Sequence, residues 1–78
     1  MKADIATASD RLTQTLLEKK LYSQACAAAT LGASQDTIDS LVKACVNEGW
    51  PTDAQKAAAL RKPPGLTESE IDALIQNI

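Results

Sequence analysis

An all-α fold is predicted for this chain: a compact array of four to five short helices forming a single domain over residues 1–78. Three observations point to it. Fourteen residues are alanine, the strongest intrinsic helix former. Phe is absent and Val occurs only twice, with one Trp and one Tyr, so the side chains that furnish sheets are scarce. Hydrophobic residues make up 45% of the chain, a globular rather than a disordered composition.

The first helix is expected from about Asp4 to Lys20, with Ile5, Ala8, Leu12 and Leu16 on its inner face and Leu17 and Leu21 widening it. Lys19 and Lys20 suit its C-terminal end, where the helix dipole favours cations. The second, from about Ser23 to Leu31, carries Ala25-Cys26-Ala27-Ala28-Ala29; small residues on all sides place it inside the bundle, with Gly32 as its stop. Ser34 is a good N-cap for the third, where Ile38, Leu41, Val42 and Cys45 fall at i, i+3, i+4, i+7. That helix ends at Gly49, and Trp50-Pro51 closes it. Thr52 and Gln55 suggest a capping box for a short fourth helix from Asp53 to Arg61, stopped by Pro63-Pro64-Gly65. Thr67 and Glu70 form the clearest capping box, and Leu66 is placed to staple onto Ile71. Ile71, Leu74, Ile75 and Ile78 continue that last helix. The expected core is Ile5, Leu12, Leu16, Leu31, Ile38, Leu41, Val42, Leu60, Leu74 and Ile75. Apart from the alanine clusters, neither low complexity nor an internal repeat is visible.

The chain contains no His, which removes His-based triads, the commonest neutral-pH general base and nearly every zinc site. Its three glycines form no phosphate-cradling loop. Asp36 and Asp39 lie one helical turn apart but no third metal ligand accompanies them. The expectation is a non-enzyme without metal or cofactor. Eight basic and ten acidic residues give a net charge of −2, unlike a nucleic-acid polycation. A helix-turn-helix reading of Asp53–Arg61 followed by Thr67–Ile78 would put Glu68, Glu70 and Asp72 against phosphates, which disfavours it. Lys56, Arg61 and Lys62 read as a small, solvated basic patch.

No basic start leads into an apolar run, and no stretch is long enough to span a membrane, so the chain reads as complete from Met1 and cytoplasmic. Cys26 and Cys45 are expected to be small, buried and reduced. In a helical hairpin turning at Gly32-Ala33 they would lie roughly 10 Å and roughly 19 Å below the turn, at about 1.5 Å per residue, too far apart to bridge.

The stretch Leu31-Gly32-Ala33-Ser34-Gln35-Asp36-Thr37-Ile38-Asp39 resembles the segment around the phosphopantetheine-accepting serine of acyl and peptidyl carrier proteins. That resemblance implies Ser34 as the modified residue, at a helix N-terminus able to hold a phosphodiester. The Asp that precedes the carrier serine is missing, and Lys43 stands where carriers present acid to their enzymes. Asp39-Ser40-Leu41 also spells the carrier tripeptide, but inside a helix. The tail from Gly65 to Ile75 resembles the last helix of small three-helix adaptor folds, ubiquitin-associated-like domains among them.

The reading that remains is a small helical protein–protein binding module, an adaptor or inhibitor that occupies a partner's surface, of the kind phages and plasmids carry. Trp50 either anchors a partner or plugs one end of an alanine-lined core. Tyr22 sits at the first inter-helix corner, with its ring packed inward or in contact with the partner. Glu68, Glu70 and Asp72 complement the last helix's dipole, and they also form an acidic pole suited to another protein with a basic surface. A homodimer is compatible with this reading.

Overall fold

The computed structural model describes residues 5–76. Five helices lie among them: α1 (Ile5–Glu18), α2 (Tyr22–Ala29), α3 (Gln35–Glu48), α4 (Pro51–Ala58) and α5 (Glu68–Gln76). They are all-α and share one core, as predicted. Met1, Asp4 and Ile78 lie outside the described residues.

Helices α1, α3 and α5 form one layer, each beside the next; α2 and α4 pack together as a second. α1 pairs with α2 and α3 with α4 as antiparallel hairpins, in a body of 47 × 26 × 15 Å. The two hairpins follow one backbone path, displaced by twenty-nine residues. At the first joint Lys20 N–H donates to Leu17 and Leu21 N–H to Leu16, at 3.0 and 2.9 Å. At the second, Gly49 N–H donates to Val46 and Trp50 N–H to Cys45, at 3.1 and 2.8 Å. Both are complete Schellman motifs. The left-handed residue is Gly49 (φ +76°) in one and Lys20 (φ +60°) in the other. The correspondence continues downstream, where Ala25 bonds back to Leu21 as Ala54 does to Trp50, and Gly32 to Ala29 as Arg61 does to Ala58. An internal repeat therefore exists in the backbone. Sequence inspection passes over it because the side chains differ at most equivalent positions.

This arrangement revises the expected core. Ile38, Leu41, Val42 and Leu74 are buried, and Leu16 and Leu60 pack on the core partly buried. Ile5, Leu12, Leu31 and Ile75 are exposed. On α1 the inward stripe is Ser9 and Thr13, flanked by Leu16 and Leu17, one step round from the predicted face. Both hydroxyls are satisfied: Ser9 donates to the Ala28 carbonyl of α2 and Thr13 to the Ser9 carbonyl. α2 is not surrounded on all sides. It buries Ala25, Cys26, Ala28 and Ala29 and leaves Ser23, Gln24 and Ala27 exposed. α4 does the same with Ala54, Ala57 and Ala58. It starts at Pro51 and ends at Ala58, with Trp50 at its N-cap and no side-chain cap bond, so the Thr52–Gln55 box does not form. The Schellman joint has already fixed the chain entering α4.

α3 and α5 begin as predicted. Ser34 Oγ accepts the Thr37 N–H at 3.2 Å. At α5, Thr67 Oγ1 accepts the Glu70 N–H at 3.2 Å while Glu70 Oε1 accepts the Thr67 N–H at 2.9 Å, a reciprocal capping box. Leu66 packs on the core, but its expected staple partner Ile71 is 44% exposed.

Candidate functional site

The two joints bring their residues to one edge. Leu21 and Trp50, each the residue after the left-handed position, line a notch of about 240 Å³ with Lys20, Tyr22, Ser23 and Asp53. Trp50 is 53% exposed and Leu21 41%, so the indole does not plug the core. Its backbone is held from both sides: the N–H donates to Cys45 and the carbonyl accepts from Ala54 at 2.9 Å. The edge thus presents a large apolar ring on a fixed main chain.

Tyr22 is different. Its ring belongs to the core, at 8% exposure, with Glu48 nearby. Burial, reinforced by the charge of Glu48, pushes the phenol above its ordinary range. Glu48 also lies 3.8 Å from the Lys20 ammonium, and the Ser23 hydroxyl donates to Asp53 at 3.2 Å. Tyr22 is the wall of the notch.

The acidic pole separates into two parts. Glu68 and Asp72 are exposed. Glu70 turns inward and takes both terminal nitrogens of Arg61, whose Nε donates to Asp39 at 2.8 Å. Arg61 and Glu70 side chains are 12% and 13% exposed. Hydrogen bonds from Arg61 hold the Glu70 carboxyl down at about 2. Glu70 is therefore a structural clamp, and Arg61 is not part of a solvated patch. The clamp borders a groove of about 890 Å³ between α3 and α5, with Lys43, Val46 and Ala73 on its walls. The equivalent groove between α1 and α3, about 320 Å³, is lined at corresponding places by Gln14, Leu17 and Ser40. There Asp10, the counterpart of Asp39, directly accepts the Ser34 N–H at 2.8 Å.

Ser34 is exposed, but both of its local roles are taken. Its hydroxyl caps α3 and its N–H is bound by Asp10, so a carboxylate already occupies the anion-favouring end of that helix.

Cys26 and Cys45 are free and buried. The Cys26 thiol donates to the Asp53 carbonyl at 3.4 Å. The Cys26 side chain together with burial pushes the Cys45 thiol up, so the two lie nearer each other than a turn at Gly32 would place them. The hairpins turn at Lys20-Leu21 and Gly49-Trp50, not at Gly32. Both cysteines sit close to the shared joint edge, and the Thr30–Ser34 connection absorbs the difference between an eight-residue α2 and a fourteen-residue α3. Among the described residues no group of three His, Cys, Asp or Glu gathers to hold a metal ion. No helix among them is long and apolar enough to cross a membrane. No protein-family model, curated protein or solved structure matches this chain.

Proposed function

We propose that this chain is a non-enzymatic protein–protein binding module, an adaptor or inhibitor that works by occupying a partner's surface. The observation that carries the reading is Trp50, half exposed on a backbone fixed by α3 on one side and α4 on the other. A rigid aromatic anchor loses little conformational entropy on docking, and such residues dominate binding energies at interfaces. Leu21 extends the apolar surface, and Glu68 and Asp72 supply negative charge for a basic partner. The carrier alternative is weakened at Ser34, where Asp10 competes with any phosphodiester. The helix-turn-helix alternative is weakened by α5 packing on α3 and by Arg61 being engaged with two carboxylates. Two free thiols fit a reducing, cytoplasmic setting.

The test is affinity capture from the native host with wild type and Trp50→Ala, followed by binding measurements on the purified partner. Trp50→Ala should weaken binding about tenfold or more, through faster dissociation, while the melting temperature holds. Equal affinity for the variant would remove Trp50 as the anchor. An intact mass raised by one phosphopantetheine group would favour the carrier.

A further inference from the structure

We propose that the outer face of α5 is a docking site for a short, alanine-faced, basic helix supplied by a partner protein. This inference does not rest on Trp50. It comes from the repeat, which shows what covers the equivalent face elsewhere.

Matching the two caps, Thr67 corresponds to Ser34, so Ile71, Leu74 and Ile75 correspond to Ile38, Leu41 and Val42. In the unit before, the same three places are Ser9, Leu12 and Thr13. Ser9, Thr13, Ile38 and Val42 are all at most 3% exposed. Ser9 bonds directly to α2, and Ile38 and Val42 share one core cluster with Ala54, Ala57 and Ala58 of α4, the helix packed most closely on α3. Each of these short helices covers its long partner with alanines at i, i+3 and i+4: Ala25, Ala28 and Ala29, then Ala54, Ala57 and Ala58. On α5 the corresponding Ile71 and Ile75 are 44% and 61% exposed, whereas Leu74, which faces the preceding unit, is buried at 6%. The face left open is the one a short alanine helix fills twice in this molecule.

Charge selects the occupant further. Glu68 and Asp72 flank Ile71 and Ile75 on the helix surface, and the segment from Pro63 to the chain end holds neither Lys nor Arg. Pairing of this face with a second copy of itself sets acid against acid. A helix carrying Lys or Arg beside its alanine stripe meets both requirements.

The probe is a capped peptide of residues Thr52–Lys62, which has the alanine spacing, three basic residues and one acidic residue. It is titrated into full-length protein with ¹³C-labelled isoleucine methyl groups. The Ile71 and Ile75 methyls should shift saturably, with Ile5 and Ile38 unmoved. Ile75→Asp, at an exposed position, should weaken binding about tenfold with an unchanged melting temperature. Glu68→Lys with Asp72→Lys should weaken it several-fold and flatten its salt dependence. Trp50→Ala should leave it intact, which separates this site from the Trp50 edge. Absence of saturable shifts up to about 1 mM peptide overturns the proposal. Equal shifts from a scrambled peptide, or loss of binding in Trp50→Ala, do the same. Self-association of the wild type that Ile75→Asp abolishes assigns the face to a second copy instead.

Discussion

Thr13 and Val42 occupy the same place in two hairpins that share a backbone path, and both are completely buried. The first hairpin fills its interior with Ser9 and Thr13 and satisfies their hydroxyls internally; the second uses Ile38 and Val42. Leu12 and Leu41 are also equivalent, yet Leu12 is 49% exposed and Leu41 not at all. The difference is position in the stack. Leu41 faces the unit before it, and no described element precedes α1. Identical residues at identical places in the repeat thus carry different energetic weight.

Substitution at that pair gives the largest contrast. Leu41→Ala should cost about 2–5 kcal/mol, a large part of the stability of a chain this small, while Leu12→Ala should cost less than about 1 kcal/mol. Urea midpoints of the two variants measure the difference. Equal losses would mean that the two units are not offset as described.

The inter-unit clamps come next. Asp10 accepts the Ser34 N–H at the start of α3 directly, whereas Asp39 and Glu70 are both acidic and need Arg61 between them. Glu70→Gln retains a residue suited to the capping box but weakens the pair with Arg61, for an expected loss of about 1.5–3 kcal/mol. The wild-type carboxyl titrates near 2 in the folded chain against an ordinary 4.5. Its contribution is therefore complete above about 4.5 and fades as pH falls toward about 2. Denaturation followed between these values should show a shallower acid loss in Glu70→Gln than in wild type. Parallel pH curves would show that the ion pair adds nothing.

The joints give the smallest and most reciprocal effect. Both hold a left-handed residue in the same hydrogen-bond frame, so Gly49→Lys should lose about 1–2 kcal/mol and Lys20→Gly should gain about 1 kcal/mol. Thermal melts of the two single variants and the exchanged double variant check this. A destabilised Lys20→Gly would show that the lysine side chain, with its exposed contact to Glu48, contributes more than its backbone strain costs.

Helix content, the Ser34 cap and the Thr67–Glu70 box were legible because each depends on local spacing. The face of α1 was not, since periodicity alone follows Ile5, Ala8 and Leu12, while tertiary packing selects Ser9 and Thr13. The repeat left a faint trace: Asp10-x-Leu12 matches Asp39-x-Leu41, and Ala25-x-x-Ala28-Ala29-x-Leu31 matches Ala54-x-x-Ala57-Ala58-x-Leu60. Comparing the chain with itself at an offset of twenty-nine would have found it, and with it the shared edge of the two joints. Trp50 was legible as a residue of interest, but its exposure follows from the Schellman turn that orients it. Glu70 looked like its acidic neighbours because its partner, Arg61, approaches from another element.

α3 touches each of the other four helices, whereas α5 meets the stack through α3 and the Arg61 clamp. Opening in such a stack proceeds from its ends inward, at unequal free-energy cost. Amides of Leu41 to Val46 should exchange with solvent deuterium only when the whole chain unfolds. Those of α5 are set to exchange through a partial opening that leaves both hairpins standing. The end of the molecule that carries the open isoleucine face is thus also the end that can detach and re-dock while the rest stays folded.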